Sequence, residues 1–410
     1  MTKTELLELI RNGENSGVEF KRDDVHADSL AKEVAAVLNL EGGHILLGIE
    51  DDGTVSGLTR DLPAAEQWVM NVCREQVRPA VIPYWETVPW DSGRVVGVMS
   101  LPADSPDKPY KAKRGTAWVT FVRVGSTSRE ATREEEARLY QASGMMRYDI
   151  KAVSGTTIQD LDLRRLENYL RDVLQQDSPA ADDNQSWQET LLNLDLLMRD
   201  RGHVMTTVGS LLLFGNTPNR FLPQSGITAT AYTADQKDYA TVDEELIRGP
   251  LVPAVSKRGK LVETGVIDRA VDFVSRNMGT EAWIEGGRRR RRKSFPIPAV
   301  REAIVNAVAH RDYTITVTDI EVSLYSDRLE VISPGRLPNT VTVPKMMQGY
   351  RAARNELLKE ILRDYDYVEH RGMGVRRKII EGMREHNGTK PDLIEEDERF
   401  TVRLWKRAAA

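Results

Sequence analysis

The stretch from Glu14 to Gly57 constrains the fold most, because three periodicities follow one another within it. Val18, Glu19, Phe20 and Lys21 alternate apolar with charged, as a strand with Val18 and Phe20 on one side and Glu19 and Lys21 on the other. Leu30, Val34, Val37 and Leu38 then fall on one face of a helix. Asp28 or Ser29 is placed to cap its start, and Gly42-Gly43 suits its stop, where positive φ is needed. His44 to Ile49 is a short apolar run ending in acids, which reads as a buried strand, and Asp52-Gly53 is a turn signal. Strand, helix, strand and turn in such close order predict an α/β layer that delivers carboxylates to strand ends.

At 410 residues the chain exceeds one ordinary core. The expected fold class is α/β (α+β): a mixed domain over residues 1–145, a helical linker over 146–200 and a second α/β domain over 201–410. The linker contains a helix after Asp160, a polar, breaker-rich stretch from Gln176 to Ser186, and a helix from Trp187. A net charge of −5 means that any nucleic-acid site must be a local patch. The single Cys73 excludes an intrachain disulfide framework and fits a reducing cytoplasm. No apolar run is long enough for a bilayer and no signal peptide is evident, so no membrane partner is expected.

The chemistry expected near the N-terminus is that of hard oxygen ligands. Glu14, Glu19 and Asp51 (or Glu50) are candidate ligands for Mg²⁺ or Mn²⁺, with Lys21 beside Glu19 to steady a phosphate or an attacking water. Metal-assisted phosphodiester cleavage needs such parts, and these four are the candidate catalytic residues. A solvated acidic edge with an exposed ion pair accommodates the same spacing. Lys108, Lys111, Lys113 and Arg114 are expected in a loop, and Arg123 to Ser128 in another whose backbone donors and hydroxyls suit an anion.

Three blocks together resemble the Schlafen/AlbA-type nucleic-acid-binding domain: residues 14–21, residues 42–53, and the run Phe121-Val-Arg-Val-Gly-Ser-Thr. The resemblance implies DNA or RNA binding. It also implies that Glu14, Glu19 and Asp51 occupy the positions of the metal-dependent site of Schlafen ribonucleases.

Further along, Arg288 to Arg292 and Lys293 make six consecutive positive charges after Gly286-Gly287. They read either as a phosphate clamp or as a solvated loop. Glu302, Asn306 and His310 recur every fourth residue, one stripe of a helix, with Val300, Ile304 and Val308 opposite. Strands are expected at Ile320–Tyr325, Leu329–Ile332 and Phe400–Trp405. Gly372-Met373-Gly374 precedes a helix, as phosphate-holding loops do.

The Glu302-x-x-x-Asn306 helix, His310-Arg-Asp-Tyr, Ser333-Pro-Gly335, Arg354-Asn355 and the residues 369–374 resemble a GHKL-type ATP-binding domain of the RecG-like C-terminal kind. The resemblance implies that Asn306 holds Mg²⁺, that Glu302 activates water and that Gly372 and Gly374 cover phosphates. Gly335 stands where the wider family has an adenine-binding Asp-x-Gly-x-Gly box, which is absent. It also implies a homo-oligomer.

The reading is a nucleic-acid-binding protein whose Schlafen/AlbA-type module is controlled by a module that binds ATP with Mg²⁺ or Mn²⁺. Candidate nucleic-acid contacts are Arg123 and Arg288, Arg289, Arg290, Arg291, Arg292 and Lys293. The alternatives are a metal-dependent nuclease in stress or antiviral defence, and an ATP-responsive transcription regulator without catalysis.

Overall fold

A computed structural model of the protein describes residues 1–40, 42–102, 107–143, 146–255, 261–285, 288–337, 343–347, 353–368, 373–396 and 398–406. It is a mixed α/β structure in two compact units, Met1–Met146 and Arg147–Ala410.

The first unit holds two sheets. In one, Val18–Lys21 pairs parallel with Gly43–Leu47, which pairs antiparallel with Val95–Leu101 and that with Tyr84–Pro89. The crossover is the helix Ala27–Asn39, whose face of Leu30, Ala31, Val34, Val37 and Leu38 is fully buried. Each such Leu or Val contributes about 1.5–3 kcal/mol by leaving water. The helix starts at His26 without a side-chain cap, so neither Asp28 nor Ser29 has the expected role. Gly43 has φ +146, and a Cβ there would lie 2.2 Å from the Gly17 carbonyl oxygen. Two backbones touch at this point, and only glycine permits it.

The second sheet runs Val77–Arg78, Lys111–Arg114, Ala117–Val124, Thr127–Glu130, all antiparallel. Lys111 to Arg114 is therefore a strand and not a loop, because Ala112 alternates with its charged neighbours and is buried. Asn39 ties helix to sheet: its amide donates to the carbonyls of Tyr110 and Phe121, both at 2.8 Å, and accepts from Tyr110 N–H at 2.7 Å.

In the second unit the main sheet runs Thr241–Ile247, Ile227–Tyr232, Ile320–Leu324, Arg328–Pro334, Arg399–Trp405, Asp392–Glu396. Ile227–Tyr232 and Ile320–Leu324 are parallel and the other pairs antiparallel. The helices Val266–Asn277 and Ile297–His310 pack on each other and on this sheet. The stretch expected as a linker is part of the same core: Leu166, Tyr169, Trp187 and Leu191 are buried with Leu211 to Phe214. Polar spacing between its helices suggested a tether, but each helix carries one apolar side that this unit covers. Val208–Phe214 is a helix opened by a Thr207–Ser210 capping box.

Candidate functional site

Pro298 in the first turn opens the helix Ile297–His310, and its Glu302 and Asn306 stand one turn apart on one face. Asn306 Nδ2 donates to Glu302 Oε1 at 3.1 Å, and Lys378 Nζ donates to Glu302 Oε2 at 3.2 Å. Glu302 is only 7% exposed. Lys378 lies on the π-helical turn Val375–Glu381 that follows Gly374, a geometry that recurs at functional sites. A Cβ on Gly374 would fall 2.0 Å from Glu302 Oε1, so any other residue there displaces the carboxylate. The helix face, the glycine and the lysine are thus one assembly. Asn306 is half-exposed, and its Oδ1 accepts no hydrogen bond among the described residues. That leaves an oxygen for a hard cation, so the donor set fits a Mg²⁺-nucleotide. Gly372 lies outside the described residues, as do residues 369–371 of the same motif.

The stripe ends in a buried polar knot. Asn355 donates to the carbonyls of Ala309 and Arg311 at 3.0 and 2.9 Å, and Arg354 donates to those of His310 and Arg336 at 3.2 and 2.8 Å. These groups satisfy helix-end carbonyls, which accounts for Arg354-Asn355 in physical terms. Gly335, with φ +104, packs against this knot: a Cβ would sit 2.5 Å from both Asp312 Cβ and Arg354 Nη1. Its contacts are those of a close-packed turn.

Burial, reinforced by the Arg354 and Lys359 cations, holds the His310 imidazole down to about 4. The folded state therefore keeps the ring neutral where the unfolded chain protonates it. This contribution is complete above about pH 6.5 and is lost as pH falls toward 4. His310→Gln is expected to flatten the loss of stability across that window, measured as urea midpoints against pH.

In the N-terminal unit the candidate residues are placed differently from the expected metal site. Glu14 accepts from the Phe20 N–H at 2.9 Å, closing the turn before the strand. Glu19 is 4% exposed; Lys21 donates to its Oε1, and Arg123 Nη2 lies 2.6 Å from its Oε2. Nη2 aims its hydrogens at the carbonyls of Asn15 and Val18, at 2.7 and 3.0 Å, so its link to Glu19 is an ion pair. Arg123 Nη1 reaches Glu33 at 3.4 Å, and Ser128 donates to Glu33 at 2.5 Å. Burial pushes the Glu19 carboxyl up, opposed by Lys21 and reinforced by Glu33. Asp51 is exposed in the turn. Among the described residues no group of three or more His, Cys, Asp or Glu stands together to hold a metal ion. The three-carboxylate arrangement expected from spacing is therefore not formed, because Glu19 turns inward to Arg123.

Arg123 itself is buried, bonded to two backbone carbonyls and two glutamates, and presents no surface to a phosphate. The expected anion loop is a hairpin in which Arg123 pairs with Ser128. Glu33 was not legible as a partner, though a charged residue beside Leu30, Val34 and Val37 on a buried face was the signal for it.

The basic run is a strand, Arg288–Lys293, paired with Thr280–Glu285. Gly286 and Gly287 lie outside the described residues. This hairpin runs in register from Thr280 opposite Lys293 to Glu285 opposite Arg288. Its base is fixed by Arg292 donating to the His386 carbonyl and by Lys293 donating to the Ser275 carbonyl at 2.7 Å.

Comparison with known proteins falls on the same stretches. Residues 14–132 match the family "Schlafen, AlbA_2", and residues 318–404 match "Putative ATP-dependent DNA helicase recG C-terminal". These are the two families that the motifs resemble. Residues 137–227 match a domain of unknown function, DUF8451. Along the sequence the Schlafen, AlbA_2 match comes first, the match to the domain of unknown function follows, and the recG C-terminal match comes last. No curated protein matches it. The crystal structure of the DIP2311 protein from Corynebacterium diphtheriae is similar at 21% identity, over 98% of this chain and 80% of that one, with a TM-score of 0.45. The solution structure of the "N-terminal Domain of Putative ATP-dependent DNA Helicase RecG-related Protein" from Nitrosomonas europaea is 23% identical, over 32% of this chain and 94% of that one, with a TM-score of 0.25. Among the described residues no helix is long and apolar enough to cross a membrane.

Proposed function

We propose that this protein binds nucleic acid, and that a Mg²⁺-nucleotide held in the C-terminal unit sets that affinity. The observation that carries the reading is the assembly of Asn306, Glu302, Lys378 and Gly374 around one helix face. Asn306 would hold the cation through Oδ1. Lys378 and the backbone at Gly374 would meet phosphate oxygens, a cation and a helix start being suited to that charge. The bound nucleotide would supply the charge that draws Lys378 away from Glu302, and with it the turn Val375–Glu381. The N-terminal unit is read as a binding module and not a cutting one, because both oxygens of Glu19 are already matched to Lys21 and Arg123. The test is the affinity of the full chain for nucleic acid with and without Mg²⁺-ATP.

The basic strand adds phosphate contacts in this reading. Changing Arg288 to Arg292 and Lys293 together to Ser is expected to lower the log–log salt slope of duplex-DNA binding by about 0.9 for each phosphate no longer neutralised. An unchanged slope would assign the run to solvent.

A further inference from the structure

The second sheet of the N-terminal unit buries one face and opens the other. Val77, Ala112 and Phe121 are buried with the helix Ala27–Asn39. Strand register places Arg78, Lys111, Lys113, Trp118 and Thr120 on the opposite face. The helix Arg133–Ala142 covers one end of that face: Thr120 donates to Glu136 at 2.8 Å, and Lys111 pairs with Glu136 at 2.7 Å. Beyond it Arg78 is exposed and Lys113 and Trp118 are half-buried. There the Arg78 guanidinium lies 4.1 Å from the centre of the Trp118 ring, and Lys113 sits directly across the strand pair from Trp118.

Charge pairing sets these residues apart. Lys111, Arg114 and Arg129 of the same sheet each have a carboxylate partner, Glu136, Glu130 and Glu135. Arg78 and Lys113 form no salt bridge among the described residues; Arg78 is exposed and Trp118 half-buried. The face thus presents an indole with two cations that have no carboxylate partner among the described residues, a combination complementary to a ligand with both a π-face and negative charge. Nucleic acid has both, and a strand with unpaired bases can use both at once. A duplex hides its base faces in its own stack, so it would meet the cations alone.

We infer that the Arg78–Trp118–Lys113 face binds single-stranded nucleic acid, an unpaired base stacking on the Arg78–Trp118 pair and an adjacent phosphate meeting Lys113. This inference rests on the nucleic-acid reading above and gives it a surface that Arg123, being buried, does not provide. Arg suits the position better than Lys because its planar guanidinium stacks on the indole and still offers donors at its edge.

The test uses the full chain and labelled single-stranded DNA, single-stranded RNA and duplex DNA, titrated by fluorescence anisotropy at several salt concentrations. Trp118→Ala is expected to weaken single-strand binding roughly 5- to 150-fold, the range for loss of one stacked base. Trp118→Phe is expected to retain most of it, and duplex binding to change little in either. Arg78→Ser with Lys113→Ser, a surface change that leaves the core intact, is expected to flatten the single-strand salt slope by about 0.7 for each phosphate no longer neutralised. The DNA and RNA arms distinguish which strand is preferred. Binding of single strands unchanged in both Trp118→Ala and the double variant overturns the inference while leaving the proposed function standing. Equal losses on duplex and single strand overturn the single-strand assignment. A wild-type chain that binds none of the three overturns both.

Discussion

Replacing Asn306 by alanine is expected to lower the affinity for Mg²⁺-ATP by roughly 100-fold, because a charge-bound oxygen is worth about 3 kcal/mol when nothing replaces it. Asn306 is half-exposed and its one hydrogen bond goes to Glu302, so the thermal midpoint is expected to move little. Calorimetric titration of Mg²⁺-ATP into both proteins checks this. Gly374→Ala offers an independent variant on the other side of the same assembly. Its Cβ would fall 2.0 Å from Glu302 Oε1, so the carboxylate must leave Asn306 and Lys378. The two variants act on one site by different means, one by removing an oxygen and one by filling space. If the helix face holds the nucleotide, both weaken binding. Unchanged affinity in both would remove the site from this helix.

Arg123→Ala is expected to produce the largest loss of stability of any single change in the N-terminal unit. Its side chain is fully buried, and its removal leaves Glu19 and Glu33 facing one another, 4% and 5% exposed, and takes the guanidinium donors from the Asn15 and Val18 carbonyls, which keep their mutual backbone hydrogen bonds. Breaking a buried ion pair from one side costs about 3–5 kcal/mol. The pH dependence gives a second reading. Burial already raises the Glu19 carboxyl above its ordinary value of 4.5, so the folded state holds its proton to higher pH than the unfolded chain. In that window stability falls as pH rises. Losing the Arg123 cation extends the window upward, so the deficit of the variant is expected to shrink as pH is lowered from about 7 to about 5. Denaturant midpoints of both proteins across that range measure it. A deficit that does not depend on pH would mean that the loss is one of packing and not of charge.

Much of the fold was legible where one periodicity runs without interruption. Val18–Lys21, the helix carrying Leu30 to Leu38, the helix of Glu302 and Asn306, and the closing strands all declared themselves through apolar spacing. The strand Lys111–Arg114 did not, because its solvent face is basic and only Ala112 marks the other. The basic run hid a strand for the same reason: six like charges erase alternation, and the pairing with Thr280–Glu285 is a tertiary fact. The stretch 146–200 looked like a tether because its polar residues lie between helices, each of which buries one side.

The candidate site divides in the same way. The stripe of Glu302 and Asn306 could be read from helical spacing. Its partner Lys378 could not, since the two residues are 76 positions apart and meet only through the fold. Spacing placed Glu14, Glu19 and Asp51 near one another but did not fix where the side chains point. Arg123, far along the chain, decides that by drawing Glu19 inward.

The most direct test of the central claim is the affinity of the full chain for single-stranded nucleic acid, measured across a titration of Mg²⁺-ATP, with Asn306→Ala alongside. If nucleotide and nucleic-acid sites are coupled, nucleic-acid affinity shifts by a factor of roughly 5 to 150, and bound nucleic acid shifts ATP affinity by the same factor. The account predicts that reciprocal shift in the unchanged protein and its loss in Asn306→Ala. Nucleic-acid affinity that stays constant while ATP saturates its site would contradict it.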